Sequence, residues 1–333
     1  MKKSFEIAVI GGGPAGITAA VQATRCGSNA ALFEREKLGG LIRCANMIEN
    51  FPGFYGMGGA EAAEKFAEHA RLNGVRVINE NVKTVQPAPT CAGFELETKS
   101  GKWQAKAVIV ATGTHPRKIR IPGLKTKDIQ YSIEHPEKFS GRYVAIVGGG
   151  DAALDQALRL SKFAELVMVI TRSKIKALPL LLKRCAVAGV EFRDDEIISG
   201  ERIKGAYVLH LKHGKYLADG VFAFAGREPN LELLDKWPVA SLSECDNCPL
   251  KSGQLSVVSD QLSKTESAAD CRQNIETKIP GLFLAGDMLA GRRRQLAIAV
   301  GTGMDAALRA IEFVNGKRRP AAPGANKNMK ERL

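Results

Sequence analysis

The sequence lacks any long hydrophobic run. Nowhere do about 18 apolar residues stand together, so no segment predicts a transmembrane helix. The N-terminus carries two lysines and a four-residue apolar run before a group of glycines, which is too short for the hydrophobic region of a signal peptide. Aromatic residues are scarce, at 6%, whereas glycine is abundant, at 34 residues. This bias is typical of turns that approach a ligand closely. We therefore expect a cytoplasmic protein that binds nucleotides.

The sequence also lacks an even set of cysteines from which disulfide bonds could be built. Its seven cysteines are scattered, which favours a reducing compartment. Only Cys245 and Cys248 stand as a close pair, and three interpretations stay open for them: a reduced surface pair, a metal knuckle or a redox pair. A tetrahedral zinc ion needs four ligands and Cys271 is the only further candidate nearby, so the metal interpretation is incomplete and we assign no metal ligands.

Basic residues exceed acidic ones, and the formal net charge is +13. Five of these charges come from a basic C-terminal tail, residues 317–333. A basic surface can attract nucleic acid, an anionic membrane or an acidic protein, and charge alone does not distinguish them. The motifs described next favour an acidic protein partner and no nucleic acid.

The first motif is a β-strand, a glycine-rich turn, a helix and a second strand. The apolar run Phe5 to Ile10 precedes the turn, and the strand Ala30 to Phe33 ends at Glu34. The glycine spacing is G-x-G-x-x-G, with Gly11, Gly13 and Gly16. Such a turn brings the backbone to a pyrophosphate at a helix N-terminus, and an acid about 20 residues further on accepts from a ribose hydroxyl. The pattern predicts a dinucleotide site with Glu34 on the ribose.

The same motif recurs between Tyr143 and Ile170 with a different ending. The glycine turn is Gly148 to Gly150, and Ala153 takes the third motif position, which the fingerprint allows. Where the first unit has Glu34, this unit has Thr171, followed by the basic residues Arg172, Lys174 and Lys176. Basic residues at that point favour a 2′-phosphate and hence NADPH. A solvated basic loop is the alternative.

Six segments together resemble the low-molecular-weight thioredoxin reductase family, over roughly Phe5 to Gly316. They are GGGPAG at 11–16, GGLIRCANMIENFPG at 39–53, VIVATGTHPR at 108–117, VGGGDAALD at 147–155, FAFAGREPN at 222–230 and IPGLFLAGDMLAGRRRQLAIAVGTGMDAA at 279–307. The resemblance implies an α/β fold with two Rossmann-like dinucleotide-binding domains, FAD in the first, NADPH in the second, and a homodimer. It also implies a discontinuous FAD domain, residues 1–117 and 229–316, an NAD(P) domain at 118–228, and hinges at the X-Pro steps near 116 and 229.

By this resemblance, the expected cofactor contacts fall into two groups. Those to FAD are Gly11, Gly13, Pro14, Ala15, Gly16, Glu34, Gly40, Asn50, Thr112, Gly113, Gly286, Asp287, Arg294 and Gln295. Those to NADPH are Gly148, Gly150, Asp151, Ala153, Arg172, Lys174 and Lys176.

The sequence departs from that family at the redox centre. Thioredoxin reductases carry a C-x-x-C just before the second glycine-rich strand, yet this chain has no cysteine between Cys91 and Cys185. The segment found there, DIQYSIEHPEKFSGR, resembles the thioredoxin-reductase-like ferredoxin–NADP reductases, which lack the dithiol. Cys44 follows Gly40 in a segment that the family runs past the flavin, and it is a candidate for a flavin-facing thiol or simply a small packed side chain.

These observations lead to one expected function and two alternatives. We expect FAD to pass electrons between NADPH and an acidic carrier such as ferredoxin or flavodoxin. The first alternative is a thioredoxin-disulfide reductase or dithiol oxidase that uses other cysteines, or the thiols of its substrate. The second is a non-catalytic flavoprotein that no longer binds NADPH.

Overall fold

The computed structural model describes residues 4–88, 93–235, 275–277, 279–291 and 293–316. Several residues considered above lie outside this description: the Cys245 and Cys248 pair, Cys271 and the basic tail 317–333.

Six helices and seventeen strands are formed within the described residues. The helices are α1 (Pro14–Arg25), α2 (Gly59–Leu72), α3 (Asp151–Leu160), α4 (Pro179–Val187), α5 (Glu232–Asp235) and α6 (Leu296–Val314). The strands are β1 (Ser4–Ile10), β2 (Ala30–Phe33), β3 (Arg76–Ile78), β4 (Thr84–Pro87), β5 (Phe94–Thr98), β6 (Gly101–Val110), β7 (Thr114–Pro116), β8 (Ile129–Gln130), β9 (Tyr143–Val147), β10 (Leu166–Thr171), β11 (Glu191–Asp194), β12 (Ile197–Ile203), β13 (Ala206–Leu211), β14 (Gly214–Ala218), β15 (Gly220–Ala223), β16 (Arg227–Pro229) and β17 (Leu282–Leu284).

The chain divides into two compact units. The first unit contains residues 1–37, 68–112 and 231–333, and the second contains 38–67 and 113–230. Segment 38–67 therefore clusters with the second unit, whereas the sequence-based division placed it with the FAD domain. The division into an FAD domain and an NAD(P) domain stays a prediction.

The first unit is built on one sheet in the order β3-β2-β1-β6-β5-β4. Strand β6 is long enough to pair with β5 in its first half and with β17 in its last three residues. Strands β3, β2, β1, β6 and β17 are parallel, so their carboxyl ends meet at one edge of the sheet. Because β1 and β2 are covered by other elements, their residues read as apolar runs rather than as an alternation.

Helix α6 returns the C-terminal part of the chain to this edge by packing on α1. A side chain on Gly303 would place its Cβ 2.2 Å from the Ala15 carbonyl oxygen, so the two helices touch through their backbones. A second tie joins α6 to the residues after β17, because the buried N–H of Gly286 donates to the Thr302 Oγ1 at 2.9 Å. The end of β17 is thereby held beside the start of α1.

The second unit has a parallel sheet in the order β11-β10-β9-β15-β8. One apolar cluster joins this sheet to α3 and α4 through Leu154, Leu160 and Phe222. A second cluster joins its other face to the antiparallel sheet β12-β13-β14 through Tyr207 and Leu209. The sequence pattern after the second glycine turn predicts a helix from Asp151 to Phe163, and in the structure this helix ends three residues earlier, at Leu160.

Strands β7 and β16 form a short antiparallel ribbon at the two ends of residues 113–230. Arg117 bonds Glu228 at 3.0 Å, and Arg227 donates to the carbonyl and hydroxyl oxygens of Thr114. The two X-Pro steps predicted as hinges thus lie opposite each other in one ribbon. None of the helices in the described part of the chain is long and apolar enough to cross a membrane.

The tie between Thr302 and Gly286 can be tested with an isosteric pair of variants. Thr302→Val should lower the free energy of unfolding by about 1–3 kcal/mol, because it leaves the buried N–H of Gly286 without an acceptor. Thr302→Ser keeps the hydroxyl and should keep this hydrogen bond. The measurement is the thermal unfolding midpoint of each variant. A valine variant that melts with the parent would show that this hydrogen bond contributes nothing.

Candidate functional site

The three motif glycines of the first turn have three different surroundings. At Gly11 the backbone has φ +105, and an added Cβ would lie 2.4 Å from the Ala111 carbonyl oxygen. At Gly16 an added Cβ would overlap the Gly11 carbonyl oxygen at 1.8 Å. At Gly13 no atom lies within 4 Å of an added Cβ. Gly11 and Gly16 are therefore required for packing, and the open side of Gly13 fits the close approach of a ligand.

Helix α1 begins directly after this open position. Gly13 is its N-cap in an extended conformation, and Pro14 takes the first helical position, where a missing N–H costs nothing. The first backbone N–H groups of a helix have no partners within the helix and favour an anion. This start, with Pro14 and Ala15 buried, fits the pyrophosphate of a dinucleotide.

The Glu34 carboxylate lies at the turn, where the sequence predicts a ribose acceptor. One carboxylate oxygen accepts from the N–H of Gly12, and the other accepts from the N–H of Glu36 at 2.8 Å. These two bonds hold the side chain in place after β2. The geometry therefore fits the ribose role assigned from the sequence, and that role stays a prediction.

The C-terminal segment brings further predicted contacts into the same unit. Gly286 has φ +82, and an added Cβ would lie 2.9 Å from the Ala15 Cβ. Asp287 follows it in the 3-10 helix Gly286–Met288, and Gln295 is the N-cap of α6. Although they lie some 270 residues apart in the sequence, Gly286 and the start of α1 are neighbours.

Four other predicted residues lie at the ends of segments or in the second unit. Thr112 is the last residue before the second unit begins, and Gly113 accepts a hydrogen bond from the N–H of Asn230 at 3.0 Å. Gly40 opens the 3-10 helix Gly40–Cys44. Asn50 belongs to segment 38–67, which clusters with the second unit. Their predicted contacts with a flavin stay predictions.

The second glycine turn repeats the geometry of the first. An added Cβ on Gly148, which has φ +138, would lie 2.5 Å from the Phe224 carbonyl oxygen, while Gly150 has no atom within 4 Å. Gly150 is the N-cap of α3, and Ala153 at the third motif position is fully buried. The turn therefore keeps an open position at a helix start, as a bound pyrophosphate requires.

The predicted basic loop is fastened directly to this turn. The N–H of Lys176 donates to the Gly149 carbonyl oxygen at 2.8 Å, and the N–H of Leu178 donates to the Asp151 carboxylate at 2.8 Å. The Thr171 hydroxyl caps the bend by donating to the Ser173 carbonyl oxygen at 2.9 Å. Asp151, predicted to contact the cofactor, therefore holds the loop. The side chains of Arg172, Lys174 and Lys176 are exposed, and none forms an ion pair with the described residues.

Sequence reasoning missed a set of contacts between segment 38–67 and helices α3 and α4. Asp155 accepts from the N–H of Asn46 at 2.9 Å, and Gln156 donates to the Cys44 carbonyl oxygen at 2.7 Å. Arg184 binds Glu49 through both guanidinium nitrogens at 2.5 and 2.9 Å. Burial raises the pKa of Asp155, while hydrogen bonding by Arg184 lowers the pKa of Glu49. These partners stand more than 100 residues apart, so no local pattern indicates them.

The three described cysteines differ in their surroundings. Cys26 is exposed at the end of α1, Cys44 is half-buried, and Cys185 is buried. Burial raises the pKa of Cys185 to about 11, so its thiol stays protonated near neutral pH. Within the described residues, no three histidine, cysteine or acidic side chains are grouped to hold a metal ion.

Comparison with known proteins gives consistent matches over almost the whole chain. Residues 5–303 match the family described as pyridine nucleotide-disulphide oxidoreductase. A "34.2 kDa protein in rubredoxin operon" from Clostridium pasteurianum is 31% identical, over 95% of this chain and 99% of that protein. The thioredoxin reductase of Bacillus subtilis is 28% identical, over 94% and 96%. The crystal structure of Lactococcus lactis thioredoxin reductase in the FR conformation has a TM-score of 0.77 at 26% identity, covering 94% of this chain and 99% of that one. The predicted two-dinucleotide-domain fold is thereby confirmed.

Gly13 and Gly150 are the glycines whose added Cβ would meet no atom within 4 Å at the starts of α1 and α3, and we expect their substitutions to affect one nucleotide each. Gly13→Val should fold but purify without FAD, because the valine fits the extended backbone and fills the space of the pyrophosphate. Gly150→Val should keep FAD and lose tight NADPH binding, since it blocks the other turn. The flavin absorbance per chain and a titration with NADP⁺ measure the two effects. A yellow Gly13→Val protein with one FAD per chain would refute the assignment of the first turn.

Proposed function

Because the chain belongs to the pyridine nucleotide-disulphide oxidoreductase family and is thus an FAD-dependent oxidoreductase, we propose that it passes electrons between NADPH and an acidic one-electron carrier such as ferredoxin or flavodoxin. When bound, FAD supplies the chemistry, by accepting two electrons as hydride and releasing them one at a time. The tasks of the protein are then to bind both nucleotides and to exclude competing reactions.

The proposal rests on the segment before β9, where thioredoxin reductases carry a dithiol and this chain has a packed segment without cysteine. The residues from Tyr131 to Arg142, between β8 and β9, contain no cysteine. Ile133 is 3% exposed and belongs to the apolar core of the second unit, and the Tyr131 hydroxyl accepts from the N–H of Ile119 at 3.0 Å. A packed segment of this kind offers no thiolate to relay electrons to a protein disulfide. Direct release to a carrier needs no such relay.

The residues of the first unit have separate tasks in this proposal. Gly13 and the start of α1 bind the FAD pyrophosphate, and Glu34 binds its ribose. Gly286 and Asp287 follow β17 at the same sheet edge, where Asp287 can accept from a ribityl hydroxyl. The N-terminus of α6 after Gln295 supports negative charge on the reduced flavin.

The second unit is proposed to select NADPH over NADH. Thr171 offers no carboxylate for a ribose 2′-hydroxyl, and exposed basic side chains surround that point. Arg172, Lys174 and Lys176 are carried by a loop that is bonded to the glycine turn, so their charges lie near the place of the adenosine. Charge-assisted hydrogen bonds to a 2′-phosphate would follow from this arrangement.

A disulfide reductase or dithiol oxidase is the second candidate, and the names of the relatives favour it. The Bacillus subtilis relative is named thioredoxin reductase. Of the described cysteines, Cys185 is excluded as a nucleophile by its raised pKa, which leaves Cys44 and Cys26. Cys245 and Cys248 are the further pair that the sequence offers. A substrate with its own thiols would also satisfy this chemistry.

The non-catalytic alternative finds little support, because the second glycine turn keeps Gly150 open to a ligand.

The oligomeric state is the last part of the proposal. A homodimer is consistent with the exposed side of α6, where Met304 and Leu308 are 37% and 43% exposed.

The nucleotide preference can be tested on Arg172. Arg172→Ala should weaken NADPH binding by one to two powers of ten, because it removes a charge-assisted contact worth about 1.5–3 kcal/mol. The affinity for NADH, which has no 2′-phosphate, should not change. Lys215→Ala, an exposed basic residue on β14, is the matched control. The measurement is anaerobic flavin reduction by each nucleotide. Equal rates with NADPH and NADH in the parent protein would contradict the preference.

The choice between the two enzyme classes can be tested on the cysteines. We expect Cys44→Ser, Cys245→Ser and Cys248→Ser to retain NADPH-dependent reduction of ferredoxin, since electrons leave the flavin directly. A disulfide reductase would lose turnover when either working thiol is removed. NADPH oxidation is measured with ferredoxin and with oxidised thioredoxin. Thioredoxin reduction that disappears in Cys245→Ser or Cys248→Ser would replace the first candidate by the second.

A further inference from the structure

Helix α4 has an exposed apolar face on the second unit. Leu181 packs against the apolar core and Cys185 lies within it, so the opposite side of the helix faces solvent. On that side Leu180 is 54% exposed, Val187 is 82% exposed, and Lys183 lies between them one helical turn from each. We call Leu180, Lys183 and Val187 the α4 face.

Further exposed apolar side chains surround the α4 face. Leu178 is 55% exposed and Leu182 is 36% exposed. Tyr55, in segment 38–67 of the same unit, is 84% exposed. Single exposed leucines are ordinary, but a group of them bordered by polar residues is typical of an interaction site.

The chain segment that carries the α4 face has side-chain charges of one sign. Residues 172–190 contain five basic residues and no acidic residue. Arg184 is paired with Glu49. The other four basic residues, Arg172, Lys174, Lys176 and Lys183, form no ion pair with the described part of the chain. The surface therefore combines an apolar centre with uncompensated positive charge.

This combination excludes two occupants from the chain itself. A second copy placed symmetrically on the α4 face would bring four uncompensated basic residues against the same four, which is unfavourable. The C-terminal tail carries six basic residues and one acid, so it is repelled in the same way.

A lipid surface fits less well than a protein. The exposed apolar residues do not form one row, since Leu178 and Leu182 border the α4 face and do not continue it, whereas a membrane-bound helix presents one apolar stripe. The helix has nine residues, and the Glu49 carboxylate lies beside it. A folded partner can provide polar groups for that carboxylate, but a hydrocarbon layer cannot.

We infer that the α4 face is the docking surface for a small acidic redox protein whose carboxylates surround an apolar centre. This partner is the electron carrier of the proposed function, on which the inference rests. The apolar centre provides the affinity, and the surrounding lysines speed and orient the encounter.

The experiment measures binding apart from turnover. Oxidised ferredoxin and, separately, oxidised thioredoxin are titrated into the FAD-loaded protein by calorimetry at low and at high salt. Lys183→Glu and Leu180→Ser are the test variants. The matched controls are Lys215→Glu and Leu217→Ser on β14, where Leu217 is 57% exposed.

We expect each test variant to weaken binding of the acidic protein by about tenfold or more, as central contacts do, while both controls bind like the parent. Binding should also weaken as salt rises, because exposed charges are screened within about 10 Å at 0.1 M. The rate at which NADPH reduces the bound flavin should be the same in all four variants as in the parent. An unchanged rate shows that the variants fold and bind both nucleotides.

Three results would overturn the inference. The first is that neither acidic protein binds, and the second is that test and control variants weaken binding equally. The third is that the protein binds phosphatidylglycerol vesicles and neither acidic protein, and that the test variants lose this vesicle binding. Failure of the proposed function has a different signature. In that case the acidic protein binds through the α4 face, yet NADPH does not reduce it.

Discussion

The close approach of backbone to backbone at the start of α1 is the constraint on which the first unit depends. An added Cβ on Gly16 would overlap the Gly11 carbonyl oxygen, and one on Gly303 would meet the Ala15 carbonyl oxygen at 2.2 Å. These contacts bring β1, α1 and α6 together without intervening side chains. Because α6 and β17 come from the C-terminal part of the chain, the same contact completes a site whose parts are far apart in the sequence.

The second unit has the same kind of glycine turn, and its basic side chains come from the loop that directly follows β10. The loop after β10 is tied back to the glycine turn by hydrogen bonds to Gly149 and Asp151. Its basic side chains therefore have a defined position without being buried or paired. Beyond the loop, α4 continues the positive surface and adds exposed apolar side chains. A single stretch, residues 172–190, thus provides the proposed selection of NADPH and the proposed surface for an acidic partner.

Much of the candidate site follows from the sequence because its signals are local. Strand, glycine turn, helix and terminal Glu34 occupy 31 consecutive residues, from Ser4 to Glu34, and the structure has the strands β1 and β2 within one residue of the predicted bounds. The absence of a dithiol near Tyr131 is also visible in the sequence alone. The contacts of Glu49 with Arg184 and of Gln156 with Cys44 are not, because each joins segments more than 100 residues apart and leaves no periodic pattern.

The sequence by itself determined the two glycine turns, the acid at the end of one and the basic residues at the end of the other, since those features depend on neighbouring residues and on backbone conformation. Only the tertiary structure decided which glycines are required for packing and which are open to a ligand. Gly11, Gly13 and Gly16 are the same residue type in the sequence, and they differ in the structure by their backbone conformation and by what lies within 4 Å of an added Cβ. Likewise, only packing against the core decided that Leu181 is half-buried and Leu180 is exposed. In both cases the reason is physical: the surroundings of a residue come from segments that the chain brings together when it folds.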